Sequence, residues 1–380
     1  MHKLESFALS VGSKIDKPQI ETCFYPVVDK QFICISKEST IESKRYDFFD
    51  DVIFHIKPYL DKQGISILEI GKSEDAPVFY TKDLRILNRM QSNFVLNKSL
   101  LYFGNLNFYS HVASHFNKPT VCPVRNDYID SIKPYWSNNE SCILLKEDTK
   151  LKPSFLDQEN PKTINDVKPE VVASNILDLL KIDHQLSDIS TIFTGPQYNN
   201  SIVDLIPGNY NPEKMSLPKT TNIRMDKNFN YNFLLACSKL KNLILVTDKV
   251  IDKRIHHLIK DCLSQVTFFV NKDTTNTDIE NILSIGKPVL FFCKDKKNIK
   301  DIRLKFLDYN INHYSTLTKK DLNYKDLKEL KFLSKRNIIH EGSPFNSYLS
   351  MSQGKNVSKP KDCKEFWEDL SFCRVYKEKS

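Results

Sequence analysis

The residues best placed to do chemistry lie in one stretch, 100–124. It reads as a strand, a turn at Gly104, a polar helix start with a short helix, then Lys118-Pro119 and a second strand. A strand that opens into a helix N-terminus is a ready anion site, because first-turn N–H groups have no intrahelical partner. Asn107, Ser110 and His111 fall in that turn. His111 is expected to donate to a phosphate oxygen and to support charge on a leaving group. Ser110 and Asn107 either add hydrogen bonds to the same anion or cap the helix. The pattern predicts a pocket for a nucleotide or a sugar phosphate.

A second group follows the apolar run 31–36. Ser36 and Lys37 stand at its C-terminal end, the edge where open α/β sheets bind ligands. Lys44 and Arg45 follow closely enough to help neutralise a diphosphate. Glu69 closes the next strand, 65–70. Later in the chain, Asp248 follows the strand 242–246. It is expected either as a general base for a hydroxyl or as the cap of a helix beginning near Ile251. His256 and His257 are adjacent on a predicted helix and diverge in direction, so they make no metal pair. Asp50 and Asp51 are adjacent and lack Asp-x-Asp geometry, and the nine cysteines include no Cys-x-x-Cys. No metal site is expected.

Positioning these residues requires alternating strands and helices. Strands are predicted at 31–36, 65–70, 100–103 and 120–124, with helices at 48–60 and 83–96 between them. Phe49, Val52, Ile53, Ile56 and Leu60 fall on one helical face. The lysine-rich stretch 138–168 reads as a linker. Pro169 then opens an amphipathic helix to residue 182. The pattern repeats, with strands at 190–194, 201–206, 242–246, 266–270 and 288–292 and helices at 229–240, 251–263 and 277–285. Helices are also predicted at 322–333 and 363–372. The fold class is therefore α/β: two Rossmann-like domains facing a cleft, with a helical C-terminal tail. The expected boundaries are 20–150 for the first domain, 151–184 for a linker and connecting helix, 185–320 for the second domain and 321–380 for the tail.

Residues 31–124 resemble the nucleotide-sugar-binding half of GT-B glycosyltransferases, most closely the heptosyltransferase-like group, family 9. That group carries a segment D-[ST]-G-x-x-H-x-A-x-x-x-x-x-P-x-[VI]. Here His111, Ala113, Pro119 and Val121 stand in the same order and spacing, while Leu106-Asn107-Phe108 replaces the Asp-[Ser/Thr]-Gly. The replacement removes the tight glycine approach to phosphate. The resemblance implies an inverting, metal-independent transfer from a nucleotide-sugar donor to a saccharide, a lipid-linked glycan or modified DNA, with no cofactor besides the donor substrate. It also places the strand end at Glu69 and the loop to Glu74 against the nucleoside, where Glu74 either accepts from a ribose hydroxyl or lies on the surface. The nucleotide-binding half comes second in that group and first here, so the chain is either a relative with a rearranged domain order or one whose likeness is confined to this domain. The lost glycine and aspartate point to the alternative of a non-catalytic interaction or scaffold protein on a degraded GT-B-like fold.

Bulk composition narrows the classes. The 380 residues suffice for two domains. The net charge of +8 permits an anionic partner, but the lysines are spread out rather than gathered into a nucleic-acid stripe. The mean hydropathy of -0.41 and the lack of a long apolar run predict a soluble chain with no integral membrane segment. The first residues lack a secretory apolar core, so a cytoplasmic location is expected. There is no P-loop and no G-x-S-x-G elbow.

Overall fold

The computed structural model describes residues 1–380 apart from 73–76, 139, 148–151, 154, 160–161, 201, 216–219, 323, 325 and 379–380. Contacts divide the chain into two compact units, the first ending at Ser190 and the second spanning Thr191–Glu378.

The first unit begins with helix α1 (Lys3–Val11), strand β1 (Phe32–Ser36), helix α2 (Phe49–Lys62) and strands β2 (Ser66–Glu69) and β3 (Lys82–Asp83). It continues through α3 (Arg89–Lys98), β4 (Tyr102–Gly104), α4 (Phe108–His115), β5 (Thr120–Pro123), α5 (Ile129–Ile132), β6 (Cys142–Leu145) and α6 (Pro169–Leu179). All six strands pair in parallel, in the order β3-β2-β1-β4-β5-β6. This order reverses direction between β1 and β4, the arrangement that places ligands outside the C-terminal strand ends. β1 is buried along its whole length, as a central parallel strand of continuous apolar residues should be. α2 buries the face that its spacing predicts.

Two expectations for this unit need correction. The helix predicted at 83–96 starts only at Arg89, where Asn88 accepts the Gln91 N–H at 2.9 Å. Lys82 and Asp83 instead extend the sheet as β3. The linker predicted at 138–168 contributes β6, whose four-residue apolar run is too short to alter the composition of its polar surroundings.

The second unit takes in all but the first two residues of β7 (Ile189–Thr194), then β8 (Val203–Leu205), β9 (Thr221–Arg224), α7 (Tyr231–Ala236), β10 (Leu243–Thr247), α8 (His256–Ile259), β11 (Leu263–Phe269) and α9 (Asn276–Leu283). There follow β12 (Val289–Cys293), α10 (Ile299–Lys305), β13 (Ile311–His313), α11 (Lys319–Leu322), β14 (Leu330–Ser334), β15 (Asn337–His340) and β16 (Ser343–Phe345). The unit closes with α12 (Tyr348–Ser352), α13 (Lys364–Asp369) and β17 (Cys373–Glu378). Its main sheet runs β13-β12-β11-β10-β9-β8-β15-β16, parallel except for the final hairpin pair. β14, β17 and β7 form a separate three-stranded sheet.

Two Rossmann-like α/β sheets with C-terminal helices are thus the fold class the sequence predicts. Local differences remain. The strand expected at 190–194 belongs to the small sheet rather than the parallel one. The helix predicted at 251–263 shrinks to one turn, because Leu263 already opens β11. The helix predicted at 322–333 is instead a helical turn at its start and strand β14 at its end, with alternating burial and antiparallel pairing to β17. The helix predicted at 363–372 forms as α13 with a tighter turn, Leu370–Phe372.

A buried ion network ties the main sheet of the second unit to its C-terminal helices. Asp204 on β8 accepts from Arg224 at 3.0 Å, the Tyr348 hydroxyl at 2.7 Å and Asn222 at 2.8 Å, and it pairs with Arg336. Arg336 also reaches Asp369 at 3.1 Å, and Arg224 holds Asp226 at 2.7 Å. Burial alone would raise the Asp204 pKa, but Arg336 and Arg224 hold it well below the ordinary carboxylate value.

Candidate functional site

The floor of the site lies at the C-terminal ends of β1 and β4. Gly104 allows these ends to meet, since a Cβ there would run into the Ser36 carbonyl oxygen and the Tyr102 hydroxyl. Ser36 is fully buried. Asn107 donates to Ser36 Oγ at 3.2 Å and to the Glu38 carbonyl at 3.0 Å. Its carboxamide oxygen accepts the N–H groups of Tyr109 and Ser110 and the Tyr102 hydroxyl. Ser110 is fully buried and donates to the Asn107 carbonyl at 2.6 Å. Two of the first-turn N–H groups expected to meet an anion, those of Tyr109 and Ser110, are therefore taken up by the Asn107 capping box. Asn105, also fully buried, adds bonds to the Lys37 carbonyl and from the Tyr46 N–H.

Beside this closed floor, a cavity of about 270 Å³ opens over the ends of β1 and β2. Among the described residues, four cationic side chains line it, Lys37, Arg45, Lys72 and Arg85, against two carboxylates, Glu38 and Glu69. Ser39 and Thr40 add hydroxyls. Gly71, at φ +123°, makes the narrow turn between the strand ends, where a Cβ would stand 3.1 Å from Ser36 Oγ. Arg85 is held by Asp83 at 2.7 Å, and that hydrogen bond holds the Asp83 carboxyl down at about 2. Burial raises the Glu69 pKa despite the neighbouring Arg85 and Lys37. A basic, partly enclosed cavity at this edge suits an anion, since low-dielectric walls strengthen the field of its charges.

The structure brings Lys37 and Arg45 into this one cavity, with Ser36 and Asn107 beneath it. Lys44 points elsewhere in its charge relations. Burial lowers its pKa, and Asp127, which raises it, and Arg125, which lowers it, are the next largest influences. Arg125 is itself buried and bonds Ser43 at 2.6 Å, the Leu156 carbonyl at 2.7 Å and Asp127 at 3.0 Å. This anchors the segment carrying Lys44 and Arg45 to the chain that follows β6. His111 is not among the described lining of the cavity. Its ring is open to solvent, yet the surrounding protein and then His2 hold its pKa below the ordinary histidine value, which favours the neutral form. Glu74 lies outside the described residues.

In the second unit, Asp248 lies exposed on a separate cavity of about 360 Å³ at the ends of β10, β11 and β12. It does not cap the following turn; Asp252 does so, accepting the Arg254 N–H at 2.9 Å. Among the described residues, no group of three or more His, Cys, Asp or Glu is placed to hold a metal ion. No helix among them is long and apolar enough to cross a membrane.

Lys72 and Arg85 are the members of the basic cavity that sequence reasoning missed. Lys72 follows a strand-ending glycine just as Lys37 follows a strand, so the signal was present. Arg85 was hidden by the helix predicted over it.

No family model matches the chain, and no curated protein matches it. Among solved structures, it is similar to E. coli ADP-heptose lps heptosyltransferase II, at 15% identity and a TM-score of 0.33 over 41% of this chain and 48% of that one. It is also similar to a glycosyl transferase family 9 protein from Veillonella parvula, at 16% identity and 0.31 over 47% and 50%. A third likeness is to E. coli heptosyltransferase WaaC with ADP, at 14% identity and 0.31 over 46% and 54%. The chain spans about half the length of the solved structures it matches.

Proposed function

We propose that the first unit binds the phosphorylated part of a nucleotide sugar and that the protein is an inverting, metal-independent glycosyltransferase. The reading rests on one observation: four cationic side chains among the described residues around a cavity of about 270 Å³ at the C-terminal ends of β1 and β2. In such a transfer, an acceptor hydroxyl attacks the anomeric carbon while the nucleoside diphosphate leaves. Fixed cations at the phosphates stabilise the charge that grows on the leaving group. Lys37, Arg45 and Lys72 are assigned that work, with Arg85 held in place by Asp83. The acceptor, a saccharide, a lipid-linked glycan or modified DNA, loses its proton to a base, and Asp248 is the candidate.

Isothermal titration with UDP-, GDP-, ADP-, CMP- and dTDP-sugars tests the reading. One donor should bind, and the double variant Lys37→Ala/Arg45→Ala should weaken it at least ~10-fold. Failure of every donor to bind would end the proposal. The capping box at α4 favours a second reading, a non-catalytic interaction or scaffold protein on a degraded GT-B-like fold, because the Tyr109 and Ser110 N–H groups are already occupied. That reading expects donor binding with no sugar delivered to any acceptor.

A further inference from the structure

The two oxygens of the Glu69 carboxyl have different surroundings. Oε2 accepts from the Val78 N–H at 2.7 Å and the Thr81 hydroxyl at 3.3 Å, pinning the turn that follows β2. Oε1 has no hydrogen-bond partner among the described residues, and Arg85 Nε stands 3.8 Å away, beyond hydrogen-bond reach. The side chain is completely buried, and Glu69 lines the basic cavity. Native proteins rarely leave a buried acceptor unmatched, because such a group has given up water without gaining a donor. None of the described polar groups around the cavity donates to this oxygen.

A ligand that meets both the cations and this oxygen must carry an anion and, a few bonds away, a hydroxyl. The cavity's size points the same way. At about 270 Å³ it falls just under the ~300–1,000 Å³ of small-molecule sites, room for a monosaccharide-sized group rather than a whole nucleotide sugar. We propose that the cavity takes a phosphorylated polyol and that Glu69 Oε1 accepts a hydrogen bond from one of its hydroxyls. The proposal rests on the reading of this cavity as an anion site. It adds that the site reads hydroxyls as well as charge, and it makes Glu69 a specificity-determining residue.

The test compares two probes that share a phosphate and differ in hydroxyls, ribose 5-phosphate and ethyl phosphate, titrated into the full chain. The native protein should favour ribose 5-phosphate at least ~10-fold, the scale of one hydrogen bond to a charged acceptor. Glu69→Gln can keep an oxygen toward Val78 and Thr81 while turning an amide NH₂ to the Oε1 position. It should bring the two probes within ~2-fold of each other without weakening ethyl phosphate. Equal binding of the probes by the native protein overturns the proposal, as does a preference that survives in Glu69→Gln or binding of neither probe. The native ratio remains decisive even where the variant does not fold. A parallel titration with the nucleotide sugars separates the two claims. Donor binding without hydroxyl preference removes only the role of Glu69, and a hydroxyl preference without donor binding removes only the nucleotide-sugar reading.

Discussion

Asp204 in the second unit and the lysines of the first unit's cavity belong to two charge clusters at strand ends that are completed in opposite ways. Asp204, Arg224, Arg336 and Asp369 are buried, and each charge meets a partner from another element. Lys37, Arg45, Lys72 and Arg85 instead line a cavity where cations outnumber carboxylates. A buried set that closes on itself contributes architecture, joining β8 to α12 and α13. A set that lines a cavity with an excess of one sign among the described residues presents its field to whatever enters that cavity. Charge content alone does not separate the two, since both are rich in arginine; the cavity beside one of them does.

The largest effect should come from breaking the closed set. Asp204→Ala leaves Arg224 and Arg336 buried without their shared partner and should cost about 3–5 kcal/mol of stability in urea denaturation. A loss below ~1 kcal/mol would show that the network does not hold the unit together.

Asp369 gives the same comparison a pH axis. Burial, offset only in part by Arg336, raises its carboxyl to about 7, against an ordinary 3.8. Between those values the folded chain keeps a proton that the unfolded chain has lost. This contribution to stability is present below about 3.8 and fades as pH rises through about 7. Thermal melts from pH 4 to 8 should show that decline, and Asp369→Asn should flatten it. A decline of equal slope in the variant would assign it to other groups.

A smaller loss, ~1 kcal/mol, is expected for Asn107→Ala, which removes the cap of α4 and two bonds toward β1. Urea denaturation would measure it, and no change would mean that the capping box is dispensable. Smallest of all should be Lys37→Ala/Arg45→Ala, with stability within ~1 kcal/mol of native, because both side chains line a cavity rather than pack inside the buried network. A collapse of folding in this variant would place these cations with the structural set.

Much of the sheet architecture was legible, because buried parallel strands are short apolar runs and α2 shows a clear helical face. Less legible were the elements decided by pairing. β3, β6 and β14 are short segments that become strands through neighbours far along the chain. The candidate site divides likewise. Ser36, Lys37 and Arg45 are visible from their place after a strand. From sequence, Asn107 is open between meeting an anion and capping the helix, and only the fold shows that it caps α4. The sequence likewise does not reveal that Arg85 arrives beside Glu69 from a separate loop.

The most direct test of the account is a titration of the native chain, Lys37→Ala/Arg45→Ala and His111→Ala with the tightest-binding nucleotide sugar from the panel. The account predicts that His111→Ala binds within ~2-fold of native while the double variant loses at least ~10-fold. The opposite result, with binding lost in His111→Ala and kept in the double variant, would contradict it and return the ligand to the N-terminus of α4.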